Sequence, residues 1–265
     1  MAAYGNTADP LRPDNPTRHP TLGYHKIRGL GAPLRMMLYA KKQNFRHVAY
    51  GTDCNDQWFK RDKELLKKKN SCANLPYIVD GGLVVSQSNT CALYLGRRLG
   101  IDDGMSGTYQ TYNHTVLDQT YDLRNDLMKV VYPFGSTKTK ADFEQAAKKH
   151  FERNVKTHFT KLEGFCVGPF MTGVKPRSGD FVLWEMLDQH IILARALDLD
   201  DWLGECPKLA TLHSSMRALP ELEQYFAAPC YAEWSHNSPA YTHFTGHGDM
   251  DQGGTVEEDL VFPRE

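Results

Sequence analysis

The spacing of apolar residues changes once along this 265-residue chain, at the glycine-bearing stretch 100–107, and that change limits the fold more than any other feature. Before it, strand-like and helix-like runs alternate. Thr21–His25 and Phe45–Tyr50 predict strands, and Ala32–Lys42 predicts a helix. In that helix Leu34, Met37 and Leu38 lie three and four apart, and Pro33 suits the first turn. Gln57–Lys69 is basic, helical or irregular, and its Lys67-Lys68-Lys69 run suits a solvated face. Tyr77–Val79 and Leu83–Val85 predict a hairpin around Asp80-Gly81-Gly82. A helix over Ser88–Leu99, capped by Ser86 or Ser88, completes the order β-α-β-α-β-β-α.

After the change every periodic segment is helical. Val116, Thr120, Leu123, Leu127 and Val131 share one face of a long helix that ends near Pro133. Phe143, Ala147, Phe151, Val155 and Phe159 form a stripe at four-residue spacing on the next. Phe181–Ala196 is apolar on most faces and predicts the central buried helix, followed by shorter helices over Pro207–Met216 and Pro220–Phe226. The expected organisation is therefore an irregular arm over residues 1–20, an α/β domain over 21–100, an all-helical domain over 108–234, and an extended tail over 235–265. No internal repeat is present.

Composition narrows the function. Apolar residues make up 41% of the chain, enough for a core, and a net charge of −1 argues against a nucleic-acid partner. No apolar run approaches the length of a membrane span, and the proline-rich arm before Thr21 has neither a secretory core nor a transit-peptide face. The cysteines Cys54, Cys72, Cys91, Cys166, Cys206 and Cys230 are scattered, without metal or redox spacing, as free thiols in a reducing compartment would be. His243 and His247, with Asp249 near, sit in a glycine-rich context that forms no helix, so no metal is expected there. The sequon Asn113-His114-Thr115 falls on a predicted helix and is discounted.

Two short strings carry chemistry. The first is Leu22-Gly23-Tyr24-His25-Lys26-Ile27-Arg28-Gly29-Leu30-Gly31. The second is Asn74-Leu75-Pro76-Tyr77-Ile78-Val79-Asp80-Gly81-Gly82, closed by Ser86-Gln87-Ser88-Asn89. A tyrosine near the end of a strand, a proline opening a later strand and a Gln-Ser pair opening a helix together resemble the glutathione site of cytosolic glutathione S-transferases of the mu-like class. The resemblance extends over roughly residues 21–234, dense in the first half and thinner in the second.

The resemblance implies a thioredoxin-like α/β N-terminal domain followed by an all-α domain, with glutathione as co-substrate and a homodimeric, cytoplasmic enzyme. It makes Tyr24 the catalytic residue. A free thiol ionises near pH 8.5, so a hydroxyl donor aimed at the sulfur raises the thiolate fraction. Leu75-Pro76 matches the family's cis-proline turn, whose preceding residue pairs its backbone with the cysteinyl part of glutathione. Gln87 and Ser88 match the receivers of the γ-glutamyl end, at a helix N-terminus suited to a carboxylate. Asn74, His25, Trp58 and Lys63 complete the expected glutathione contacts, and Asp122 is expected to reach the partner subunit's γ-glutamyl amine. Ile27, Leu30, Arg124, Asn125 and Tyr132 are the expected walls for an apolar electrophile, with the Tyr132 hydroxyl assisting it. Arg35 matches a mainly structural arginine.

The chain departs from the family pattern at several positions. His25 stands where mu enzymes carry tryptophan, Asp62 where a lysine is expected, and Asn55 where an arginine is. The glycyl-carboxylate subsite is thus expected to be rebuilt with His25 and a lysine, or weakened. Cys72 replaces the aromatic that locks into the partner subunit, and Arg177 stands at the helix-cap position before Asp180. These departures and the two polar arms also fit an alternative: a transferase fold with weak or no catalysis, kept as a binding or structural subunit whose arms meet protein partners. A glutathione-dependent isomerase would share the same site.

Overall fold

The computed structural model describes residues 19–54, 56–133, 137–246 and 253–263. Expectations for the arm before His19, for Asn55, and for His247 and Asp249 fall outside the described residues.

The first half is a sheet with helices. Strand β1 is Thr21–His25, and a 3-10 turn over Gly29–Gly31 leads into α1, Ala32–Ala40, buried from Ala32 to Tyr39. Strand β2 is Phe45–Tyr50. The basic stretch forms a π-helical turn, Gln57–Asp62, and then α2, Lys63–Lys67. Strands β3, Tyr77–Asp80, and β4, Leu83–Ser86, form the hairpin, and α3 is Ser88–Arg98. Neither serine caps α3: Gln87 occupies the cap position at φ 72°, with no side-chain bond to the helix.

The second half is helical. The long helix α4 is Gly107–Val131, capped by Ser106. Helix α5, Lys140–Lys149, starts on a Thr139/Asp142 capping box, and a π-helical turn, His150–Val155, joins it to α6, Lys156–Phe165. The central helix α7 is Ser178–Ala196, followed by α8, Pro207–Arg217, and the short α9, Glu223–Ala227, and α10, Pro229–Ala232. The Arg177 guanidinium, just before α7, donates to the carbonyls of Ile101 and Asp103. The buried Asp180 carboxylate accepts the N–H groups of Arg177 and Met171.

The segment after residue 234, expected as an extended tail, packs on the rest of the chain. Ser235, His236 and Asn237 are buried, and Val256–Leu260 is a fifth strand, β5. The sheet order is β4-β3-β1-β2-β5, with β1 parallel to β2 and β5 antiparallel to β2. Sequence periodicity missed β5 because Val-Glu-Glu-Asp-Leu lacks the strict alternation of a half-buried strand. Its acidic residues bond along β2 instead: Glu257 and Asp259 to Arg46, and Glu258 to His47. Just beyond, Phe262 is buried edge-on against Tyr39 at 5.1 Å.

Two apolar clusters cover the sheet. The large one joins α1, α3 and the sheet to the helical half around Trp184 and Phe159. The small one contains Val48, Tyr50, Trp58, Leu66, Tyr77, Val79 and Val84. The halves are also tied by charge. Arg28, fully buried in the loop after β1, donates to Glu185 at 2.7 Å and Asp188 at 2.6 Å on α7. The paired carboxylates keep the Arg28 guanidinium charged in spite of its burial.

Candidate active site

At the C-terminal ends of β1 and β2, a cavity of about 500 Å³ opens between the α/β half and α4. Tyr24, His25, Lys26, Ile27 and Leu30 line it from β1 and the following loop, and Tyr50, Gly51 and Thr52 from the end of β2. Asn74 and Leu75 line it from the turn before β3, Arg124, Met128 and Tyr132 from α4, and Ser238 and Tyr241 from the C-terminal segment.

Tyr24 is buried, and its hydroxyl accepts the Leu30 N–H at 3.1 Å, which leaves the phenolic proton to donate toward the cavity. A Cβ on Gly31 would lie 2.5 Å from the Tyr24 ring, and Gly29 has φ +38°, so this loop closes on the ring only with glycines at both positions. Arg35 braces the strand end from beneath. Its guanidinium donates to the carbonyls of Ile27 and His25 and to His47 Nε2, and stacks on Trp234 at 4.8 Å. The structural part that the resemblance implies for Arg35 follows from this geometry.

The Leu75–Pro76 peptide is cis. Ser86 Oγ accepts the Asn74 N–H at 2.9 Å and donates to the Asn74 carbonyl at 3.0 Å, fixing this turn to the end of β4. Gln87 and Ser88 follow that anchor directly. They start α3 beside the turn but do not line the cavity, and Pro76 is buried behind Leu75.

Tyr132 lines the opposite wall. Its hydroxyl accepts the Ser238 N–H at 2.9 Å, and burial, offset in part by that bond, pushes its pKa up to about 12. Asn125 does not line the cavity, and its Oδ1 accepts from Arg124. Asp122 is exposed and does not line its own chain's cavity.

Trp58 and Lys63 lie elsewhere. Trp58 is buried in the smaller apolar cluster, stacked on Tyr77 at 5.9 Å, and the Lys63 ammonium sits 5.8 Å over its ring. Asp62 is buried as well. It accepts the Tyr50 hydroxyl at 2.7 Å and Arg61 Nε at 2.6 Å, and burial raises its pKa. Sequence reasoning also missed Lys26, Thr52, Met128, Ser238 and Tyr241. The last two had no usable signal, because only the path of the tail brings them there.

A buried tyrosine hydroxyl at a strand end, a cis-proline turn beside it and a helical wall opposite define a thioredoxin-like domain joined to an all-helical one, with a cavity between them. The family models for the glutathione S-transferase N-terminal and C-terminal domains match residues 20–97 and 121–229. The chain belongs to the glutathione S-transferase family, and its curated relatives set it with the mu-like class. It is 28% identical to Glutathione S-transferase Mu 1 of Mus musculus over 227 residues, covering 81% of this chain and 96% of that protein. It is 26% identical to the class-mu 26 kDa isozyme of Schistosoma mansoni over 221 residues, covering 81% and 91%. A solved pi-class glutathione S-transferase of Onchocerca volvulus superposes with a TM-score of 0.66 at 22% identity, covering 84% of this chain and 99% of that one.

Proposed function

We propose that this protein conjugates the thiolate of glutathione to apolar electrophiles, with Tyr24 as the residue that stabilises the thiolate. The observation that carries the reading is the Tyr24 hydroxyl: buried at the cavity wall, bonded as an acceptor to Leu30 N–H, with its proton left to donate. A hydrogen bond to a charged partner is worth about 1.5–3 kcal/mol, or about one to two pKa units of the thiol. In this reading the Leu75 backbone pairs with the cysteinyl unit, and the start of α3 at Gln87 and Ser88 takes the γ-glutamyl end. The electrophile lies against Ile27, Leu30, Met128 and Tyr132, a mainly apolar wall of which Tyr132 supplies the polar edge. Asp122 acts in the partner copy of a homodimer. No helix among the described residues is long and apolar enough to cross a membrane.

One observation favours the second reading, a binding or structural subunit. The C-terminal segment engages the polar edge of the proposed electrophile wall, the Ser238 N–H bonding the Tyr132 hydroxyl. Calorimetric titration with glutathione, run beside a general aryl-halide conjugation assay, separates the two. Binding with turnover is expected; binding without turnover selects the subunit reading, and absence of binding removes the glutathione site altogether.

A further inference from the structure

We propose that Lys26 receives the glycyl carboxylate of glutathione and that the backbone of the C-terminal segment sets it in position. The inference rests on the glutathione reading above.

The residues that the family pattern offers for this carboxylate are turned away. Asp62 is a core carboxylate, Trp58 belongs to the smaller apolar cluster, and the Lys63 ammonium lies over the Trp58 ring. The strand order says where the replacement must stand. With the γ-glutamyl end at the start of α3, which follows β4, and the sulfur at Tyr24 on β1, the tripeptide runs across the strand ends toward β2. Three inter-strand steps span about 14 Å. An extended tripeptide covers about 10 Å of this, and a lysine stem bridges the rest. Lys26 stands on the β2 side, its own N–H donating to the Tyr50 carbonyl at 2.7 Å, and it lines the cavity beside Gly51 and Thr52.

The neighbouring groups make Lys26 the suitable cation. Its ammonium donates to the Gly253 carbonyl at 2.7 Å, and an ammonium has three donors. Asp53, the nearby anion, accepts the Gly254 N–H at 2.8 Å, so adjacent tail residues bond both the lysine and this carboxylate. The Gly254 bond first, and the Lys26 charge among the lesser causes, lower the Asp53 pKa. His25 is the weaker candidate, because desolvation and then the Arg35 charge lower its pKa and leave it neutral at pH 7. Arg124 projects from the opposite wall, on α4, and bonds Asn125.

The test compares glutathione with its glycyl monoethyl ester on the full chain and on Lys26→Met, Lys26→Arg and Arg124→Met. The parent is expected to prefer the free acid. In Lys26→Met, KM and Kd for glutathione rise about ten- to hundredfold, the size of one lost charge-assisted bond. Its kcat stays within a few-fold, the ester is handled as by the parent, and Lys26→Arg recovers most of the preference. A parent indifferent to esterification, equal preference in parent and Lys26→Met, or a preference abolished by Arg124→Met instead would each overturn the assignment. A parent that binds neither compound overturns the glutathione reading itself, a distinguishable result.

Discussion

The Tyr24 hydroxyl and the Leu30 backbone N–H are 3.1 Å apart, so the loop that shapes the cavity wall also orients the proposed thiol donor. Tyr24→Phe removes one oxygen and keeps the ring. Conjugation at neutral pH is expected to fall about ten- to a hundredfold with glutathione affinity nearly unchanged. The deficit should shrink as pH rises and the thiol ionises unaided. The cost in stability is about 1 kcal/mol, for the Leu30 N–H left without its acceptor. A full rate at pH 6.5 in an active parent's variant would assign thiolate stabilisation elsewhere, with His25 next.

Gly31→Ala tests the cradle rather than the hydroxyl. The added methyl would meet the base of the Tyr24 ring at 2.5 Å, where the side chain cannot swing away. Displacement of the ring is expected to reduce turnover at least as much as Tyr24→Phe and to destabilise by about 1–3 kcal/mol. Parent-like kinetics and melting would mean that the loop, not the ring, yields at no cost.

Asp122→Ala addresses a residue that is exposed and away from its own chain's cavity. Weaker glutathione binding is expected in the dimer and no change in a monomeric form. Equal calorimetric affinity for parent and variant, on material shown to be dimeric, would remove Asp122 from the site.

The C-terminal strand is expected to contribute to stability. Truncation after Gly246 removes the pairing of β5 with β2 and the buried Phe262. A melting temperature lower by several degrees is expected for the truncated chain. Phe262→Ala alone should cost about 3 kcal/mol in denaturant unfolding. Unchanged melting in both would show that β5 adds nothing to the fold.

Acid should destabilise the protein between pH 6.5 and about 4 through its buried histidines. Burial holds the pKa of His47 at about 4, of His150 at about 3 and of His190 at about 4, below the ordinary 6.5. His150 and His190 face each other at 3.1 Å, and the latter bonds the Met186 carbonyl. The unfolded chain takes up these protons as pH falls through 6.5 and the folded chain does not until about pH 4, so stability is lost across that window. Asp180, pushed up to about 7 by burial, acts in the opposite sense. His190→Gln isolates one contribution: its stability should fall less steeply between pH 6.5 and 4, by up to about 1.4 kcal/mol per pH unit. Parallel curves for parent and variant would mean that His190 is already charged in the folded state.

Local pattern determined much of this protein. The strands Thr21–His25 and Phe45–Tyr50, the Asp80-Gly81-Gly82 hairpin and the long helices follow from apolar spacing and turn residues, which act within a few positions of each other. Tyr24, His25, Asn74 and Leu75 at the cavity were legible because each belongs to a contiguous string tied to a strand end. Where Trp58, Lys63 and Asp62 would face was not legible, since a tryptophan, a lysine and an aspartate on a short basic helix can turn either way. Packing against Tyr50 and Tyr77 made the choice.

The C-terminal segment lies furthest from what spacing can reveal. Val256–Leu260 is a strand because the edge of β2 offers unpaired backbone groups and Arg46 and His47 offer partners for its carboxylates. Nothing within the segment itself carries that information. The same long-range closure brings Ser238 to Tyr132 and Gly253 to Lys26. Sequence alone determined the elements and the place of Tyr24 near a strand end, through local periodicity. Tertiary structure decided which cations and which tail atoms surround the cavity, because those contacts join residues more than a hundred positions apart.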